Sequence, residues 1–339
     1  MSATAPPLAT RQGRRAGAFA LAAVLLAAVV ASLASGAAGL PVGEVLAVLT
    51  GSGESVSRTI VLELRLPRAA LAVVVGGGLA VGGAVFQALL RNPLAEPYIL
   101  GVSGGAAVGA VGVAALGIAA GSAWAVPIGA LAGAITAVLA VFRIAQRVGG
   151  SLDTRVLLLA GVVAGAFFNA LILLLLTRTD IESFRSAVFW MMGSLSGAGW
   201  GTVGLLAAYA LPATLVLIAL ARPLDLLATG EETAAVLGAP VERLKLVCYG
   251  IASLLVAATV AACGVIGFVG LIVPHALRLV WGSGHRFLLP ASFLAGAAFL
   301  LLADTAARTI TSPAELPVGV VTALVGVPLF VTLLARGGR

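Results

Sequence analysis

Lys245 is the only lysine in the 339-residue chain, and Leu246 follows it. A phosphate-binding P-loop needs Ser or Thr after its lysine, so that ammonium, hydroxyl and backbone N–H groups converge on phosphate and Mg2+. The chain therefore carries no such ATPase site of its own. His275 and His285 stand at the ends of apolar runs, and no run holds the paired acids of an intramembrane protease. Cys248 and Cys263 share one run; about 22 Å of helical rise separates them, too far for a disulfide. With no CxxC and no His/Cys cluster, no metal site is expected. The residue types argue against an enzyme.

Ion-coupled transporters place ionisable groups near the bilayer midplane. Here the apolar runs hold only Gln87 and Asn169 as strong polar groups away from their ends. Both read as interhelical hydrogen bonders rather than substrate ligands. Asp304 precedes Arg308 by one helical turn, so the two share a face and can pair. The stretch "RPLDLLATGEETAAVLGAPVERLK", residues 222–245, is different in kind. Thr229 offers an N-cap with Glu232 three residues on, a capping-box spacing, and Gly238 with Pro240 ends the helix. A short helix of this kind either lies on the membrane interface or docks into a partner. A lipid-bound surface helix is rich in Lys and Arg, and none occurs between Arg222 and Arg243. Docking is the expected role.

The elements that must position these residues follow from composition. The chain is 61% hydrophobic and 10% charged, with mean hydropathy +1.15, whereas soluble domains carry roughly 25% charged residues. Long runs of Ala, Leu, Val and Gly, without the alternation of a barrel strand, predict an all-α polytopic membrane protein. The net charge of +7 comes from basic residues at the ends of apolar runs, which speaks for cytoplasmic anchoring and not for nucleic acid. Ten spans are expected, at 17–38, 67–89, 100–118, 123–142, 156–177, 202–221, 246–263, 267–280, 288–307 and 316–334. Loops are short, and residues 1–339 read as one transmembrane domain. Arg11, Arg14 and Arg15 resemble a signal-peptide n-region, but the run after them exceeds the usual 7–15 residues, so a retained span is expected. With both termini inside, 14 basic residues face the cytoplasm and 6 face out, as the positive-inside rule requires. Gly78/Gly82, Gly101/Gly105/Gly109 and Gly161/Gly165 have the small-residue spacing of close helix packing.

The segments "LRLPRAALAVVVGGGLAVGGAVFQALLRNPLAEPYILGVSGGAAVGA", "LDLLATGEETAAVLG", "GVIGFVGLIVPHALRLVWGSGHRFLLPASFLAGAAFLLLADTAAR" and "ELPVGVVTALVGVPLF" resemble, in order from about Leu64 to the C-terminus, the FecCD/BtuC-like permease subunits of ATP-binding-cassette importers. The resemblance implies a dimer, most simply of two identical ten-span subunits, in the cytoplasmic (inner) membrane of a prokaryote. It further implies a dimer of cytoplasmic ATPases, which bind the ATP and Mg that this chain does not, and an extracytoplasmic substrate-binding protein. The cargo it implies is a metal chelate, a ferric siderophore first, with cobalamin or haem as alternatives. A partner-free secondary transporter, the competing class, should show midplane charges or an inverted repeat; neither is present.

The same resemblance assigns residues. The helix around 230–238 becomes the coupling helix seated in the ATPase, with Leu227, Gly230, Glu231, Glu232, Leu237 and Gly238 as its candidates. Arg65 and Arg68 in "LRLPR" and Arg308 in "ADTAAR" become docking groups for acids of the binding protein; the alternative is that they anchor helix ends or pair locally, Arg308 with Asp304. "RNPLAEP" and the loop before span five become the cytoplasmic gate, with Asn92, Leu94 and Thr154 as candidates. A simple tight turn, capped by Asn92 between two prolines, explains that sequence as well.

Overall fold

The computed structural model describes residues 10–36, 39–118, 122, 124–149 and 152–337. Residues 37, 38 and 123, at the ends of expected spans, and Arg339, in the charge count, lie outside the described residues. The helices run α1 (Arg11–Ala34), α2 (Val42–Leu49), α3 (Ser55–Thr59), α4 (Leu66–Leu89), α5 (Val102–Ala115), α6 (Ala125–Gly149), α7 (Thr154–Leu176) and α8 (Ile181–Met191). Then follow α9 (Trp200–Ala219), α10 (Ala221–Ala228), α11 (Glu231–Val236), α12 (Val241–Cys263), α13 (Val269–Trp281), α14 (His285–Thr309) and α15 (Val318–Gly337). No strand occurs among the described residues.

Seven of these helical stretches are long and apolar enough to cross a membrane, and α5, α13 and α15 are shorter apolar helices. Together they match the ten expected spans. The second is longer than expected, because a wider-turned segment, Ile60–Arg65, joins α3 to α4 in one continuous rod over Ser55–Leu89. The eighth is the exception in the other direction. With 13 residues α13 rises about 20 Å, short of the roughly 30 Å hydrocarbon core. The backbone ahead of it is irregular, with Gly264 at φ 71 and Phe268 in the left-handed region at φ 68. Lipid-depth irregular backbone survives only where protein satisfies it, and two groups from the loop before α5 do so. The Glu96 carboxylate accepts the Phe268 N–H at 3.1 Å. The Tyr98 hydroxyl donates to the Ile266 carbonyl at 2.8 Å and accepts the Ile266 N–H at 3.2 Å.

The centre of the bundle is α4, whose span is 89% buried, against 22% for α1 and 28% for α7. It can be central because its glycines allow backbone contact. A Cβ on Gly83 would sit 1.9 Å from the Gly270 carbonyl oxygen of α13, and one on Gly76 would sit 2.4 Å from that of Gly296 in α14. The expected spacing of small residues works likewise between α5 and α6, where Gly105 and Gly109 lie against the Gly133 and Gly129 carbonyls. Gly165 does not follow the pattern, since nothing lies within 4 Å of its Cβ position.

Candidate functional site

The charged stretch between α9 and α12 folds as two short helices, not one. Leu224 and Leu227 of α10 and Ala234 of α11 are buried and hold the loop to the bundle. Glu232, Val236, Leu237 and Gly238 face outward, Val236 being 87% exposed. The expected capping box does not form. The Thr229 hydroxyl donates to the Leu226 carbonyl at 2.7 Å, and Gly230 occupies the N-cap with no side-chain bond. Gly230 has φ 126, a conformation open in practice to glycine, so the chain breaks there and Thr229 stays with α10. Gly238, at φ 83, ends α11 as the sequence indicated.

Glu231 points inward to a residue that the sequence presented only as a lysine without the following Ser or Thr of a P-loop. The Lys245 ammonium, on a side chain 1% exposed, donates to Glu231 Oε2 at 2.9 Å. It also donates to the Leu152 carbonyl, in the segment leading into α7. Glu231 Oε1 lies 3.5 Å from the Thr154 hydroxyl. Gly230 stands beside the other expected gate segment, its Cβ position 3.9 Å from the Arg91 guanidinium. Coupling candidates thus bond to the segment before α7 and stand near the loop before α5, the two candidate gate segments. Asn92 closes the turn the sequence suggested, its side-chain oxygen accepting the Leu94 N–H at 2.9 Å, and Leu94 is exposed. Asp153 caps α7; the Arg155 and Val156 N–H groups it accepts hold its carboxyl below the usual carboxylate range.

A second tie fixes α10. Asp225 Oδ1 accepts the His285 backbone N–H at 2.9 Å and meets His285 Nδ1 at 2.6 Å. The first-turn N–H groups of α14 lack helix partners, and Gly284 has no side chain to supply one. An aspartate from another helix therefore does so. Burial alone would raise the Asp225 carboxyl; the His285 bonds outweigh it and hold it low. The sequence carried no indication of this pair, because the partners lie 60 residues apart.

At the opposite end the three candidate arginines form one network. The α1 carbonyls at its C-terminal turn lack intrahelical partners. Arg65 donates to Leu33 and Ala34 at 2.6 and 3.1 Å, and Arg308 to Ser32 at 3.2 Å. Asp304, fully buried, receives Arg308 Nε at 3.1 Å, so the expected pair exists. It also receives Arg68 through Nε and Nη2 at 2.9–3.1 Å. Arg68 Nη1 reaches outward to Glu315, 41% exposed. The geometry supplies local partners for all three arginines and leaves the Arg68–Glu315 edge at the rim.

Within the spans, Gln87 bonds between helices as expected, donating to the Leu271 carbonyl at 3.1 Å and accepting from Arg278. Asn169 does not. It sits on an exposed face of α7 with Val162 and Leu173, because the other helices pack against the opposite face. Cys248 and Cys263 are buried free thiols. Among the described residues no group of three metal-ligating side chains converges.

The model of the FecCD transport family matches residues 24–336. The chain belongs to the FecCD transport family. Its members are permease subunits of ABC importers, multi-pass proteins of the inner membrane, and not catalytic subunits. The chain is 42% identical to an uncharacterised ABC transporter permease, YvrB, of Bacillus subtilis, over 85% of this chain and 83% of that one. It is 46% identical to the cobalamin import permease BtuC of Halobacterium salinarum, over 82% and 74%. With the vitamin B12 import permease BtuC of Escherichia coli it shares 43%, over 82% and 84%. A solved structure described as the inward-facing conformation of a metal-chelate-type ABC transporter superposes with TM-score 0.85 at 33% identity, covering 94% of this chain and 98% of that one.

Proposed function

We propose that two copies of this FecCD-family chain form the translocation pathway of an ATP-driven importer for a metal chelate. A cytoplasmic ATPase dimer, carrying ATP and Mg, drives it, and an extracytoplasmic binding protein delivers the cargo. The observation that carries the reading is the coupling loop. Its outer ridge, with Glu232, Val236, Leu237 and Gly238, is solvent-facing, while Leu227 and Glu231 fasten its inner side to the bundle. A ridge anchored from behind, with exposed Val236 and Leu237 beside Glu232 in front, suits a lever seated in another protein. Asn92, Leu94 and Thr154 are the proposed gate, each on a segment beside that lever or continuous with one. The unpartnered α7 face supports a second copy and a polar pathway, since an amide such as Asn169 facing lipid at mid-span would be unfavourable.

For cargo, a corrinoid is the first candidate, supported by the two cobalamin permeases at 46 and 43% identity. A ferric siderophore, expected from the sequence, is the second, and the metal-chelate-type structural relative fits either. Binding-protein docking is proposed for the rim around Arg68. Arg65 and Arg308 support it from below, their guanidinium groups being engaged with α1.

The test is coexpression with an ABC ATPase and a substrate-binding protein from the same organism. The three chains should copurify, and Leu237→Asp should release the ATPase alone. Retention of the ATPase by that variant would contradict the lever.

A further inference from the structure

The coupling loop and the gate segment before α7 meet at one cation, with a longer direct contact of 3.5 Å between Glu231 and the Thr154 hydroxyl beside it. Lys245 is 1% exposed, and its ammonium holds both the Glu231 carboxylate of α11 and the Leu152 carbonyl two residues ahead of Thr154. Leu152 is itself buried. The floor beneath the ammonium is stiff, because Tyr249, one turn further along α12, is packed against Phe86 and Phe142 with ring centroids 6.0 and 5.9 Å apart. A buried cation stripped of one partner is strongly destabilised. If α11 shifts, Lys245 must follow Glu231 or lose it, and in following it releases or drags the Leu152 carbonyl.

We infer that Lys245 is a positioning residue for transport, converting displacement of α11 into displacement of residues 152–154 at the entry of α7. The inference rests on the reading of α11 as the coupling helix. It adds the physical path from lever to gate, through a residue to which no motif assigns a role. A structural staple would also be buried and paired, so the two roles separate only in a readout of gate movement.

The experiment uses the full complex of permease, ATPase and binding protein in lipid vesicles. Arg155 is exposed and makes no side-chain hydrogen bond or ion pair among the described residues, so Arg155→Cys carries a spin label in both copies. The native thiols are buried and escape labelling. Wild type and Lys245→Arg should change their inter-label distance when ATP binds, since a guanidinium can keep both acceptors. Lys245→Met should retain the ATPase and its hydrolysis, lose the distance change, and transport about tenfold less cargo per ATP, within the range of ordinary coupling energies. If Lys245→Met fails to assemble, Lys245→Gln, which keeps a hydrogen-bond donor but removes the charge, is judged by the same criteria. Unchanged transport per ATP with the distance change intact overturns the inference. So does loss of transport that Lys245→Arg does not restore. If instead the wild-type complex shows no ATP-dependent uptake, it is the importer reading that fails, and this inference fails with it.

Discussion

Removing the Asp304 carboxylate should damage this protein more than any other single change at its outer end. The side chain is fully buried and accepts from two guanidinium groups at 2.9–3.1 Å. Each contact near 3 Å is worth about 5–6 kcal/mol at an effective dielectric of 20. Desolvation offsets much of that, so the pair is a poor measure of net stabilisation. Deleting the shared anion is another matter, because Arg308 then stays mostly buried without a carboxylate partner, and Arg68 beside it keeps only the rim pair with Glu315. Breaking such an arrangement costs about 3–5 kcal/mol. Arg68→Ala leaves Asp304 with Arg308 and should cost about 1.5–3 kcal/mol, the range for a hydrogen bond to a charged group. Glu315→Gln removes a rim pair and should cost below about 1 kcal/mol. Denaturant unfolding in mild detergent, followed by tryptophan fluorescence, ranks the three variants. If Asp304→Ala unfolds with Glu315→Gln, the network is not holding the outer end and the reasoning is wrong. The same geometry bears on docking tests, since Arg68→Glu would press a second carboxylate against Asp304 and disturb the fold.

The purified chain alone should hydrolyse no ATP in detergent, Lys245 being buried against Glu231 and followed by leucine; activity from the isolated chain would contradict this. Glu232→Lys should weaken ATPase capture without altering membrane insertion, as measured by copurification and fractionation, because Glu232 is exposed on the proposed coupling helix. Glu315→Lys and raised salt should both alter the rate of binding-protein capture, read by surface binding in low salt; a rate indifferent to both removes the Arg68 rim from docking.

Much of the membrane architecture was legible because hydropathy reports length and small-residue spacing reports close contact. Gly105 and Gly109 behave as their spacing indicated, and the Asp304–Arg308 pair follows from one helical turn. What stayed hidden depends on residues distant in sequence. Arg68 reaches Asp304 across 236 positions and Lys245 reaches Leu152 across 93, and no local pattern encodes either. The capping box at Thr229 misled because the spacing was right but Gly230 breaks the backbone first. Asn169 misled for the opposite reason: its polarity was legible, but not that its face of α7 is left uncovered by the rest of the chain. The loops at Glu96 and Phe268 satisfy one another, which a span count treats as two unrelated turns.

The most direct test of the importer reading is uptake by vesicles containing this chain with the proposed ATPase and binding protein, supplied on the binding-protein side with either a cobalt corrinoid or a ferric siderophore. The account predicts accumulation of one chelate that requires both ATP on the ATPase side and the binding protein on the other. Accumulation driven by an ion gradient, with neither ATP nor binding protein needed, would contradict it.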